Sequence, residues 1–284
     1  GKKCYMRKGL NGKEVEKGGN ILKETFFSTE IADGIFLISV TNKSNIAMEE
    51  LVKPQKATAN SYLVVGEEKA LLFDLAINQE NLWDYACSLT DRPVQLVLSH
   101  GHVDHIFYLN KREEVWLHPD DMDMVKNGVP GVNEPTHPCP VLHSLNEGDV
   151  IELGNRKLTV YHIPGHTPGS ILLLDQKTKL LLSGDSVARR LLFGVGSDVK
   201  IEPFCQKVER LKKIDFKEAY SAHDRCALPK SHLNRMLQTI EETQKNGKKM
   251  KIPFVGEFKT YKYGKETELD YCDVAIFTSR KKDK

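Results

Sequence analysis

From Gly34 onward the chain alternates short apolar runs with amphipathic stretches. The runs GIFLISV (34–40), SYLVV (61–65), ALLFD (70–74), VQLVLS (94–99) and EVWLH (114–118) have strand length and carry β-branched and aromatic residues. Residues 79–89 place Leu82, Tyr85, Ala86 and Leu89 on one helical face, and residues 229–246 read as one helix ending near Gly247. Strands interleaved with helices predict an α/β protein in which helices cover a sheet. Residues 1–30 are polar and rich in Gly and Lys, and read as an N-terminal arm. Residues 31–246 form the expected main domain, and 247–284, with IPFVGEFKTYKY and DVAIFT, a terminal pair of strands extending it. Residues 128–148 are rich in Pro and Gly and read as a long loop, of a length that is often functional.

A weak repeat runs through this pattern. SYLVVGEEKALLFD begins at Ser61 and SILLLDQKTKLLLSGD at Ser170. Each is an apolar run, a charged turn, a second apolar run and an acidic residue, Asp74 or Asp185. A helical segment follows each (79–89 and 204–213), then a strand that leads to His100 or His223. Two such halves would pack sheet against sheet with helices outside, and their strand ends would meet at one rim.

The chemistry concentrates at those strand ends. Ser99-His100-Gly101-His102-Val103-Asp104-His105 offers three imidazoles and a carboxylate within six residues. In an extended segment residues two apart face the same side, so His100 and His102 suit one ion, while Asp104 and His105 point elsewhere and suit a second. Imidazole and carboxylate without thiolate point to zinc, iron or manganese rather than to a structural cysteine site.

This HxHxDH segment resembles the leading motif of the metallo-β-lactamase superfamily. Pro164-Gly165-His166-Thr167-Pro168-Gly169-Ser170, Ser183-Gly184-Asp185 and Ser221-Ala222-His223-Asp224 follow in the family's order, so the resemblance covers residues 31–245. It implies a four-layered αββα sandwich of two mixed sheets. It also implies that His100, His102 and His166 hold one metal, that Asp104, His105 and His223 hold a second, and that Asp185 bridges them. The expected cofactors are two divalent ions, zinc first, with iron or manganese as alternatives. The implied reaction is hydrolysis by a hydroxide held between the ions, acting on a small-molecule ester, lactone or thioester, with a phosphodiesterase or nuclease, or a non-catalytic metal-binding protein, as the alternatives. Asp185 and Asp104 are the catalytic candidates. The leaving group takes its proton from Asp104 or from a metal-held water.

Residues around these motifs refine the picture. Asp74 either orients a ligand or caps backbone amides at its strand end. His118, His137, His143, His162 and His232 read as structural. Arg189 and Arg190 follow Asp185 by four and five residues and are expected to reach a substrate carboxylate or phosphate, with LLFGVGSD (191–198) as a flap. Tyr108 joins them as a substrate-binding candidate. Phe107 and Tyr108 stand where glyoxalase II-like members carry a glycine pair, which argues against that activity, as does the lack of a counterpart to its glutathione-binding helical domain. A flavodiiron-like redox role would put glutamate at His102 and need a flavin domain. Cys226, three residues past His223, reads as a packed thiol.

Composition narrows the classes further. The 284 residues, 40% hydrophobic and 28% charged, exclude disorder as the main state. Lys+Arg of 41 against Asp+Glu of 39 leaves a net charge of +2, which disfavours a dedicated nucleic-acid binder and leaves a small molecule as the expected partner. Basic residues cluster at both ends (Lys2, Lys3, Arg7, Lys8; Arg280, Lys281, Lys282, Lys284) and read as solvated termini. No apolar run approaches the ~20 residues of a bilayer span, and no leader is visible, so a cytoplasmic location without membrane is expected. Six cysteines without CxxC spacing read as reduced thiols.

Overall fold

In the computed structural model, which describes residues 26–40, 59–195, 197, 199–224, 226–252 and 255–279, the apolar runs become strands of three sheets. The first takes seven in chain order: β1 (Phe26–Ala32), β2 (Ile35–Val40), β3 (Ser61–Val65), β4 (Ala70–Phe73), β5 (Val94–Val97), β6 (Glu114–Leu117) and β7 (Val141–Ser144). Pairing is antiparallel from β1 to β4 and parallel from β4 to β7. The second sheet begins with β8 (Val150–Glu152), β9 (Lys157–His162), β10 (Ile171–Asp175) and β11 (Leu180–Gly184). The chain then leaves through β12 (Arg190–Phe193) and returns for β13 (Glu218–Ser221) and β14 (Leu228–Pro229), giving the order β14-β13-β11-β10-β9-β8. Finally β15 (Lys248–Ile252), β16 (Gly256–Tyr263) and β17 (Cys272–Ser279) join β12 in a third sheet, ordered β12-β17-β16-β15. Four helices accompany the described strands: α1 (Leu82–Ser88), α2 (Met122–Asn127), α3 (Ile201–Leu211) and α4 (His232–Asn246).

The period of two along each strand decides the layering. In β4, Leu71 and Phe73 face the second sheet, where they meet Ile171, Leu173, Leu180 and Leu182 with Tyr62 and Val64. Ala70 and Leu72 face the other way and pack, with Leu63 and Leu96, on Leu82 and Ala86 of α1. On the far side Leu172, Leu174 and Leu181 pack on Phe204, Val208 and Leu211 of α3 and on Leu233, Met236 and Ile240 of α4. The result is an αββα sandwich. Each fully buried aliphatic side chain contributes about 1.5–3 kcal/mol, and a one-residue slip of a strand would exchange its two faces.

The two halves of the repeat take corresponding places. β3 and β4 form an antiparallel pair, as do β10 and β11. After α1 the chain returns as β5 parallel to β4, and after α3 as β13 parallel to β11, a connection that needs a crossover segment.

Four readings of the sequence change. Residues 26–30, assigned to the arm, belong to β1, which pairs with β2; the rest of the arm and the basic clusters at both ends lie outside the described residues. Residues 141–144, inside the expected loop, form β7 beside β6. The expected flap is instead β12, with Leu191 and Phe193 buried, while Gly196 and Asp198 lie outside the described residues. Cys226 is disulfide-bonded rather than a packed thiol, whereas Cys87, Cys139, Cys205 and Cys272 are free. The spacing rule failed for Cys226 because disulfides form between residues adjacent in space. Among the described residues no helix is long and apolar enough to cross a membrane.

Candidate metal centre

The site forms where β4, β5, β11 and β13 end. Beyond β5, Ser99 donates to Asp74 twice, from N to Oδ1 at 2.6 Å and from Oγ to Oδ2 at 2.7 Å. Asp74 itself takes a left-handed φ of 67°, a conformation that a non-glycine residue keeps only when its surroundings hold it there. The same carboxylate accepts from His105 Nδ1 at 2.9 Å, which turns His105 Nε2 toward the centre. Both readings of Asp74 describe its contacts: it orients His105 and accepts from the Ser99 backbone N–H. On the other side, Gly184 (φ 50°) ends β11 so close to Ser99 that a Cβ would lie 2.5 Å from the serine Cβ, and this approach delivers Asp185.

Three imidazoles face one another with bare nitrogens. His100 Nδ1 lies 2.9 Å from Ser99 Oγ, whose own hydrogen goes to Asp74, so His100 donates and its Nε2 carries the lone pair. His166 Nδ1 donates to Leu192 O at 2.6 Å and His102 Nε2 to Val195 O at 3.3 Å. The remaining nitrogens, His102 Nδ1 and His166 Nε2, stand 2.8 Å apart, and with the other ring protons given to those carbonyls both present lone pairs. Two facing lone pairs repel unless a cation lies against both. His100 Nε2, His105 Nε2 and Asp185 Oδ1 are buried without a hydrogen-bond partner. Buried polar atoms are rarely left this way, and the donor set fits a divalent metal ion. Burial holds the His100 and His102 pKa values below the ordinary range and brings His166 down to about 4, so all three stay neutral and able to coordinate.

The second group is charged. His223 Nε2 lies 3.3 Å from Asp104 Oδ2 and 3.4 Å from Asp185 Oδ2. Asp185 also faces His105 Nε2 and His166 Nε2, both at 3.5 Å, and so stands between the groups. Burial alone would lower the pKa of His105, but the Asp74, Asp185 and Asp104 carboxylates outweigh it and raise it to about 10. Burial would likewise raise Asp104 and Asp185, yet His105 and His223 hold both below the usual carboxylate range. The ligand atoms gather as His100, His102 and His166; His100, His105 and Asp185; and Asp104, His105 and His223, each trio within 4.8 Å.

Asn133 and Asp121 emerge only in three dimensions. The Asn133 amide, in the loop after α2, accepts from Val103 N at 3.0 Å and donates to Gly101 O, so it brackets the His102 turn. Asp121, fully buried, accepts from Gly101 and from the His166 loop. Each is a single polar residue with no patterned neighbour, so no local signal marks it.

The substrate candidates part company. Arg189, Arg190, His223, Asp224, Glu266 and Tyr271 line one cleft. Its arginines are already engaged: Arg189 Nη2 donates to Glu266 O and to Glu268 O (2.7 Å), and Arg190 pairs with Glu266. Tyr108, in a left-handed turn (φ 57°), lines a separate cleft with Leu75, Trp83 and Phe107. That placement removes it from the metal ligands, because the turn after His105 directs it outward. Of the remaining histidines, His118 stacks on His162 at 3.7 Å, His143 on Trp116 at 4.4 Å, and His232 bonds Ala188 O at 2.9 Å.

The sequence profile of the metallo-beta-lactamase superfamily matches residues 56–223, and the chain belongs to that superfamily. A chicken (Gallus gallus) protein named acyl-coenzyme A thioesterase MBLAC2 is 37% identical over 160 residues, 45% of this chain and 57% of the relative. Its human counterpart is 30% identical over 197 residues, 58% of this chain and 67% of the relative. The chain thus spans little more than half of the chicken protein and two thirds of the human one. A metallo-beta-lactamase from Pontibacter korlensis shares the fold with a TM-score of 0.61 at 17% identity, covering 76% of this chain and 99% of its own.

Proposed function

We propose that the chain is a thioesterase that binds two divalent metal ions, zinc first among them, and hydrolyses small-molecule acyl thioesters. The observation that carries the metal reading is the convergence of the His105, His166 and His223 nitrogens on the shared Asp185 carboxylate, with His100 and His102 gathered beside them. His100, His102 and His166 would hold one ion, Asp104, His105 and His223 the other, and Asp185 would touch both. When bound, divalent ions at such positions supply Lewis acidity and make water nucleophilic near neutral pH. Asp74 fixes His105, and Leu192 and Val195 carbonyls fix His166 and His102, so the ligands need not reorganise. Asp104 lies beside His223, which lines the cleft. A thiolate leaving group, with a pKa of about 8.5 like a free cysteine, departs without the full protonation an alkoxide needs. The thioester is favoured over other acyl bonds by the relatives named thioesterases.

The test is a panel run on zinc-reconstituted protein: an acyl-coenzyme A, a matched oxygen ester, a lactone, a phosphodiester and nitrocefin. The thioester should give the highest kcat/KM, by at least about tenfold or ~1.4 kcal/mol at the transition state, and chelation should abolish it. A faster phosphodiester or β-lactam, or a rate that survives chelation, would overturn the reading.

A further inference from the structure

We propose that Asp121 is a positioning residue for the metal centre, whose single carboxylate sets the distance between the loop carrying His100 and His102 and the loop carrying His166. The inference rests on the metal reading above. Asp121 is fully buried at the end of a 3-10 turn, Pro119–Asp121, directly before α2. Its Oδ2 accepts from Gly101 N at 2.9 Å and from Thr167 Oγ1 at 2.7 Å, and its Oδ1 accepts from Gly169 N at 2.7 Å. Gly101 lies between His100 and His102, and Thr167 follows His166. The carboxylate therefore stands one residue from each of the three imidazoles with bare nitrogens.

The approach is as close as the chain permits. A Cβ on Gly169 would lie 2.6 Å from Asp121 Cγ. The same segment meets the His166 loop again at His118, which stacks on His162, and His162 Nε2 donates to Pro168 O at 2.7 Å. A carboxylate suits this position because three donors converge on it and nothing nearby needs a donor in return. Asparagine would turn its NH₂ toward Gly101 N–H or Gly169 N–H, donor against donor.

The physical need for such a residue is plain in the imidazoles themselves. His102 Nδ1 and His166 Nε2, one from each loop, lie 2.8 Å apart, and with their other ring nitrogens donating to Val195 O and Leu192 O both turn lone pairs to the same point. Asp121 ties the two loops together and keeps the nitrogens converged before an ion arrives, which lowers the cost of ordering them on binding. A buried carboxylate that merely satisfied core amides would affect the stability of the fold and not the affinity for metal.

The experiment measures zinc affinity by competition with a chromophoric chelator, alongside the melting temperature of the metal-free protein, for the parent, Asp121→Asn, Asp121→Ala and Thr167→Val. Both Asp121 variants should bind zinc at the tighter site about ten- to a hundredfold more weakly, the range seen when a partner of a ligand is removed, with Asn no better than Ala. Thr167→Val removes one donor of three, keeps the charge and should weaken zinc about threefold or more. It carries the test if the Asp121 variants do not fold. Zinc affinity within twofold of the parent in any folded variant, or a loss matched by collapse of metal-free melting in Thr167→Val, overturns the proposal. A parent that binds no zinc overturns the metal reading itself and this proposal with it.

Discussion

At Asp185 one side chain faces nitrogens from three different loops, those of His105, His166 and His223, at 3.4–3.5 Å. Removing it should therefore disturb both groups of ligands at once. In Asp185→Ala we expect turnover to fall at least about a hundredfold and metal content per chain to drop, while circular dichroism stays that of the parent. The preceding residues Leu180, Leu181 and Leu182 are buried and keep β11 in place. Parental turnover with parental metal content would show that Asp185 bridges nothing. Its place between the ligand groups was legible in the sequence because the candidate ligands come in short clusters in a recognisable order. Asp121 and Asn133 were not, since one carboxylate in PDDMD and one amide in GVNEP look like any solvated loop residues until the backbone folds over them.

Among the elements, β12 and the turn before β17 form the cleft wall. Arg189 binds two carbonyls of that turn, and its guanidinium lies 5.2 Å from the Tyr271 ring centroid. Its backbone N–H donates to Asp224 at 2.9 Å. This is the work of a brace. Arg189→Ala should raise KM alike for anionic and neutral substrates and cost about 1–3 kcal/mol of stability through the carbonyls left unpaired, seen as a melting point lower by a few degrees. An increase in KM confined to anionic substrates, at unchanged melting, would restore the anion-binding role expected from the sequence. The runs at 34–40, 61–65, 70–74, 94–99 and 114–118 were readable as strands because each carries its own period. β12 was not, because the strand that makes it one, β17, lies some eighty residues on and pairs with it in parallel.

For the molecule as a whole, the two sheets are fastened at the rim opposite the candidate metal centre. Arg156, 2% exposed, donates through Nη1 to Gly34 O and Val65 O at 3.1 Å and through Nη2 to Asp33 O, and its Nε lies 3.5 Å from Asp175 Oδ1. Those carbonyls belong to the first sheet's turns and Asp175 to β10 of the second. Arg156→Met removes the cation facing the buried Asp175 Oδ1 and one donor from each of three carbonyls, although Gly34 O keeps Val65 N and Asp175 Oδ2 keeps Thr178. We expect a loss of about 3–5 kcal/mol by denaturant titration, with part of it recovered when Asp175→Leu is added. A loss below about 1 kcal/mol, or no recovery in the double variant, would mean that water replaces the guanidinium. The sandwich itself was legible from the repeat and the alternation of faces. The fastening was not, since nothing in GNRKL (154–158) distinguishes a buried arginine from a surface one.

The cleft wall has a different origin along the chain from the ligands beside it. Glu266 and Tyr271 lie beyond residue 223, where the superfamily profile stops, yet they share a cavity with His223. The turn that carries them thus lies outside the stretch on which family membership rests, and a reading of the cleft drawn from that stretch alone would miss two of the side chains beside His223.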